Sequence, residues 1–311
     1  MPAFEKPDGG LLSCARAGRS RRAASCPITP KTEQGKGKIK TMKYEKIDIK
    51  NQNSMDYAAL YLYILDDSPE IAIKERPMVV ICPGGGYEFT SDREAEIIAM
   101  QYLAMGYHAA VLRYSVAPAV YPTALLELGR AVAVIRENAG EWHIDQKKIV
   151  VSGFSAGGHL AANYAMFWNR AFLSEALGVD SALIAPNALI LCYPVISSGE
   201  YAHEGSFRSL LGADYEEKKK ELSLEFCVGE QVPRTFVWHT CEDDCVPVQN
   251  SLLLVNELVS HHIPTEFHLF ERGGHGLSLA NRLTGSADGG WTEAAVAVWP
   301  QLVHAWMENW V

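Results

Sequence analysis

Two rhythms of apolar residues alternate along the chain. The segments "KYEKIDI" (43–49) and "AALYLYILD" (58–66) alternate or run apolar as edge strands do. "PMVVICP" (77–83) and "NALILCYP" (187–194) are short, continuous apolar runs, the pattern of strands covered on both faces. Between them the period lengthens. Residues 93–106, closed by Gly106, predict a helix with a C-terminal stop; 121–140 predict a long amphipathic helix and 156–168 a third. Strands are expected at 107–114 and 147–153, and the rhythm resumes as strand 234–240, helix 247–262, strand 265–271 and helix 291–310. Strands alternating with helices of this length require right-handed βαβ crossovers. The expected fold class is therefore α/β, a mostly parallel twisted sheet with helices on both faces. Residues 196–230 break the rhythm. Polar, charged, helix-prone and without a strand, they are expected as a short insertion over the C-terminal edge of the sheet.

Composition narrows the class without naming a chemistry. With 311 residues, 48% hydrophobic and 21% charged, the chain has room for one large α/β domain. The net charge of −9 is unevenly spread, because residues 1–41 hold nine Lys/Arg against three acids and the rest is strongly acidic. An acidic body disfavours nucleic acid and anionic membrane surfaces as partners. No window approaches the ~20 apolar residues of a membrane span. The first thirty residues lack the continuous apolar core of a secretory signal, so a cytoplasmic location is expected. Residues 1–42 read as a disordered N-terminal extension, with Met42 a candidate start, and 43–311 as the catalytic domain. Seven cysteines, an odd number with no repeating spacing, argue against a disulfide framework. Cys241 and Cys245 have no second pair beside them, so neither a metal nor any other cofactor is expected.

The chemistry centres on "VSGFSAGGH" (151–159). A strand delivers the chain to Ser155 and a helix leaves it, the strand–turn–helix setting in which G-x-S-x-G holds a serine hydroxyl above a sheet edge. Gly153 and Gly157 are small where a side chain would strike neighbouring backbone. Such a serine needs a base, and the base an orienting acid. His275, in the glycine-rich "ERGGHGLSL" after the last predicted strand, is badly placed for core packing and well placed to cross a sheet edge. His159 reads as packing or capping, and His108, His239 and His268, in or beside strands, as core residues. Glu242, Asp243 and Asp244 share the loop between strand 234–240 and the helix entered at Pro247; Asp243 is preferred and Asp244 is the alternative. The order Ser155, Asp243, His275 is that of α/β-hydrolases. "ICPGGGYEFTS" follows an early buried strand, and its glycines let backbone N–H groups approach a substrate closely. Gly85 and Gly86, with Ala156, are the expected oxyanion-hole donors. A phosphate loop is discounted for want of the G-x-x-x-x-G-K-[ST] spacing.

"PGGGY", "SDREAE", "GYHAAVLRYSVAP", "GFSAGGHLAA", "VWHTCEDDCVPVQNS" and "HLFERGGHGLSLA" together resemble the α/β-hydrolase esterases, in the acetyl or xylan esterase branch related to the feruloyl esterase and hormone-sensitive-lipase groups. The resemblance runs from about residue 43 to 311. It implies Ser155 as nucleophile, Asp243 as triad acid, His275 as base, and short-chain, acetyl ester substrates on plant polysaccharide or oligosaccharide. One departure is Pro83, where hormone-sensitive-lipase relatives carry histidine before the glycines. The expected partner is a small-molecule or oligosaccharide ester. The rival readings are a prolyl-oligopeptidase-like peptidase and a non-catalytic binding protein on a hydrolase fold, and Tyr87, Glu88 and 196–230 are expected to border the pocket.

Overall fold

The computed structural model of the chain describes residues 42–310, so the expected N-terminal extension lies outside the described residues. Its elements follow in chain order as β1 (Lys43–Ile47), β2 (Ala59–Ile64), β3 (Arg76–Cys82), α1 (Glu96–Ala104), β4 (His108–Arg113), α2 (Thr123–Glu137), β5 (Ile144–Phe154) and α3 (Ser155–Phe167). Then come α4 (Ala171–Leu177), α5 (Ser181–Ile184), β6 (Ala188–Cys192), α6 (Glu204–Leu211), α7 (Tyr215–Lys218), β7 (Arg234–Thr240), α8 (Gln249–Ser260), β8 (Thr265–Phe270) and α9 (Trp299–Glu308). The strands form one sheet in the order β1-β2-β4-β3-β5-β6-β7-β8. Only β2 runs antiparallel to its neighbours; β4 through β8 are parallel.

The continuous apolar runs are explained by a core on each side of this sheet. Met78, Val80 and Cys82 of β3 enter one core with α2, α3 and α8, while Val79 and Ile81 enter the other with α1 and α9. The same two-residue alternation sends Leu189 and Leu191 of β6 one way and Ile190 and Cys192 the other. Residues Met78 to Cys82 are all 0% exposed, and burying each such aliphatic side chain is worth roughly 1.5–3 kcal/mol. Helix α3 is buried on every side, from Ser155 to Phe167, because its Ala and Gly residues let it lie close on the sheet.

Two differences from the sequence reading fall beside the cavity that Ser155 lines. The helix expected over 291–310 begins only at Trp299. Pro300 has no N–H and is tolerated only in a first turn, so it marks the start of α9. Residues before it turn back instead, and Glu293 N–H donates to Ala280 O at 2.9 Å. The insertion 196–230 holds helices α6 and α7, yet it is less polar in effect than in composition. Phe207, Leu210, Leu211 and Leu222 are buried in the α3-side core.

Candidate active site

Strand β5 ends at Phe154, and Ser155 follows with φ 52°, in the left-handed region that a non-glycine residue adopts only when its surroundings enforce it. Packing does the enforcing. A Cβ on Gly153 would lie 2.2 Å from Gly157 O, and one on Gly157 would lie 2.1 Å from Cys82 O. Only glycine fits either position, so the turn is fixed and the Ser155 hydroxyl stands at the N-terminus of α3, where the helix dipole favours developing negative charge.

His275 Nε2 lies 2.7 Å from Ser155 Oγ, and His275 Nδ1 lies 2.7 Å from Asp243 Oδ2. Asp243 lies in the loop just after β7, with its side chain 1% exposed. Its Oδ1 accepts the backbone N–H groups of Cys245 (3.0 Å) and Val246 (2.8 Å). Burial alone would raise its pKa, but hydrogen bonds from His239 and His275 and the electrostatic pull of those rings outweigh it, holding the carboxyl well below its usual range. An ionised carboxylate only accepts. The proton of a neutral His275 therefore sits on Nδ1, leaving Nε2 free to accept the serine hydroxyl, the tautomer a general base requires. Of the three acids in this loop, Asp243 meets the imidazole; Glu242 and Asp244 are exposed.

The loop after β3 lies against the serine, since a Cβ on Gly84 would be 2.9 Å from Ser155 Cβ. Gly85 (φ 128°) and Gly86 (φ 65°) adopt backbone conformations that favour glycine. The Gly84 N–H is spent on Glu94 Oε2 at 2.7 Å, whereas no hydrogen bond within this loop uses the N–H of Gly85 or Gly86. With the Ala156 N–H in the first turn of α3, these are backbone donors beside the hydroxyl. Gly85, Gly86, Ser155 and His275 line one cavity of about 510 Å³, within the range of small-molecule sites.

The BD-FAE family model matches residues 67–258. The chain belongs to the BD-FAE family. It is 37% identical over 246 residues to endo-1,4-beta-xylanase B of Butyrivibrio fibrisolvens, covering 75% of this chain and 38% of that protein. Among solved structures it is similar to an acetyl ester-xyloside bifunctional hydrolase from Caldicellulosiruptor lactoaceticus, with a TM-score of 0.71, 35% identity and coverage of 85% of this chain and 96% of that one. The carboxylesterase Cest-2923 of Lactobacillus plantarum WCFS1 gives a TM-score of 0.75 at 29% identity, over 87% of this chain and 98% of that one. The chain spans less than half the length of the curated relatives it matches. Its described residues share the α/β-hydrolase fold of these structures.

Within this BD-FAE domain, three residues near Ser155, His275 and Asp243 escaped sequence reasoning. His239, read there as a core strand residue, is buried with Nε2 at 3.1 Å from Asp243 Oδ2 and 3.0 Å from Val246 O. Both are acceptors, so Nε2 carries the proton, and Nδ1 accepts from Ser251 Oγ at 2.8 Å. Glu94, an acidic residue, is 3% exposed, and Tyr193 is 1% exposed; both are tied into the site by hydrogen bonds. A four-residue spacing between His239 and Asp243 was the one available signal. Nothing in "SDREAE" distinguishes a buried carboxylate from a helix-capping one. Tyr87, expected at the pocket border, instead turns into the core, its hydroxyl 2.9 Å from His159 Nδ1. Glu88 does line the cavity, as do His203 and Gly205 of the insertion.

No helix among the described residues is long and apolar enough to cross a membrane.

Proposed function

We propose that the chain is a serine esterase that removes short acyl groups, acetyl first among them, from the hydroxyls of xylan-derived oligosaccharides. The observation that supports this reading is the unbroken relay from Ser155 Oγ through His275 to Asp243, with 2.7 Å at each link. Ser155 Oγ attacks the ester carbonyl as its proton passes to His275 Nε2. Asp243 holds the ring and stabilises the imidazolium. The N–H groups of Gly85, Gly86 and Ala156 bind the oxyanion, each such donor being worth about 3 kcal/mol. His275 then gives its proton to the departing alcohol oxygen as the tetrahedral intermediate collapses to the acyl-serine. Water, deprotonated by the same ring, attacks the acyl carbon, and Ser155 leaves with the proton restored.

The xylan side of the proposal draws on the xylanase and acetyl ester-xyloside hydrolase named among the relatives. Short acyl groups fit the insertion, whose Phe207, Leu210 and Leu211 are spent in the core and leave His203 and Gly205 at the cavity, so the insertion supplies no apolar lid for a long chain. The test is direct. A fluorophosphonate should label Ser155, and p-nitrophenyl acetate should be hydrolysed by the wild type but not by Ser155→Ala. Turnover of an aminoacyl-proline amide without ester hydrolysis would overturn the esterase reading.

A further inference from the structure

The proposed chemistry leaves one part of the cavity wall unused. Arg93 and Trp291 line the same cavity as Ser155 and His275. We propose that these two residues form a sugar-binding subsite that takes the neutral pyranose ring bearing the ester, a proposal that rests on the esterase reading above.

Three observations lead there. Trp291 is 47% exposed and has φ 57°, a left-handed backbone that bulky residues avoid at a cost of about 1–3 kcal/mol. Stability does not require a strained tryptophan held open at a cavity, whereas an apolar plate for a ligand does. Second, the Arg93 guanidinium lies over that indole, 4.3 Å from the ring centroid, and its Nε–H donates to Thr284 O at 2.7 Å. The head group is therefore fixed in place before any ligand arrives. Third, Arg93 forms no ion pair among the described residues, so its charge is not spent on a neighbouring carboxylate.

Charge selects the ligand. The carboxylates of Glu88 and Glu94 line this cavity too, so an anionic group drawn to Arg93 would also meet repulsion. A neutral polyol has no such conflict. Its hydroxyl oxygens accept from Arg93, its hydroxyl protons can be donated to Glu88, and its C–H face stacks on Trp291. A subsite so placed binds the alcohol half of the ester, leaving the acyl carbon to Ser155.

The experiment compares acetylated xylobiose with p-nitrophenyl acetate, whose alcohol carries no sugar. Trp291→Ala should lower the ratio of kcat/KM for the sugar ester to that for the p-nitrophenyl ester roughly tenfold, mainly through KM, while Trp291→Phe retains most of the ratio. Arg93→Lys, which keeps the charge and loses the planar stack, should lower it as well. Calorimetry on Ser155→Ala with xylotriose supplies a binding readout free of turnover, and binding should be lost when Trp291→Ala is added. If p-nitrophenyl acetate is hydrolysed but the ratio is unmoved by the Trp291 and Arg93 variants, the subsite is wrong and the esterase reading stands. If neither ester is hydrolysed, the esterase reading falls and calorimetry decides the subsite: binding abolished by Trp291→Ala upholds it, and no binding to Ser155→Ala overturns it.

Discussion

Tyr193 donates its hydroxyl proton to Glu94 Oε1 across 2.5 Å, and both side chains are buried. The other carboxylate oxygen of Glu94 accepts the Gly84 N–H at 2.7 Å, and the Tyr193 oxygen accepts the Ser278 N–H at 2.9 Å. The Tyr193 and His275 rings also meet edge to face, with centroids 5.1 Å apart. Burial, reinforced by the Glu94 charge, raises the phenol pKa well above its ordinary value, so Tyr193 remains a donor. One carboxylate and one phenol thus join the loop of Gly85 and Gly86 to the loop that carries His275. Two segments separated by almost two hundred residues in the chain are held at one spacing.

That linkage predicts a kinetic phenotype. In Glu94→Gln the amide can no longer accept from both Gly84 and Tyr193, and in Tyr193→Phe the Ser278 N–H loses its acceptor. A charge-assisted hydrogen bond is worth about 1.5–3 kcal/mol. Each change is expected to lower kcat for p-nitrophenyl acetate at least roughly tenfold, with a smaller effect on KM. The double variant should lose less than the two single losses combined, because both act on one network. Additive losses, or a change confined to KM, would show that the two loops are held independently.

The carboxylate behind the histidine gives a sharper contrast. Asp243→Asn is expected to cut kcat by about 10⁴, the scale seen when a triad acid can no longer hold the imidazole tautomer. Asp244→Asn, at an exposed position, should stay within a few-fold of the wild type. His239→Gln should fall between them, since Asp243 loses one donor yet keeps the N–H groups of Cys245 and Val246. A ranking in any other order, measured under saturating p-nitrophenyl acetate, would reassign the acid.

Acid sensitivity should begin with histidines rather than carboxylates. Burial lowers the pKa of His108 and of His159 from 6.5 to about 4. An unfolded chain takes up these protons below about 6.5 and the folded chain only near 4, so stability is full above that window and falls as pH drops through it. Each ring contributes a slope of up to about 1.4 kcal/mol per pH unit. Asp243, with its folded pKa depressed, contributes stability present above its ordinary value of 3.8 and lost only at lower pH. Urea midpoints should therefore fall between pH 6.5 and 4.5, and His159→Gln should make that fall shallower. A midpoint indifferent to pH over that range would contradict neutral, buried imidazoles.

The alternation of apolar runs, the glycines around Ser155 and the order of Ser155, Asp243 and His275 are local patterns, and local patterns are written in sequence. A two-residue period cannot hide, and only glycine survives where Gly153 and Gly157 meet backbone. This is why the sheet, its crossovers and the turn at the serine were legible from the sequence alone. The false extension of α9 was legible too, in Pro300, but it requires weighing one residue against twenty of helical character.

Other features depend on which side chains fold to the same place. Glu94 looks like any acidic residue near a helix start until β6 brings Tyr193 against it, and His239 looks like a core residue until the loop after β7 curls Asp243 back to its Nε2. Arg93 and Trp291 lie far apart in sequence and meet only because the segment before α9 folds over the cavity. Hydrogen bonds and ring contacts fall off within a few ångströms, so they are set by three-dimensional proximity, which a one-dimensional pattern does not encode. The sequence determined the scaffold and the turn that carries Ser155; tertiary structure decided what surrounds that turn and holds it in register.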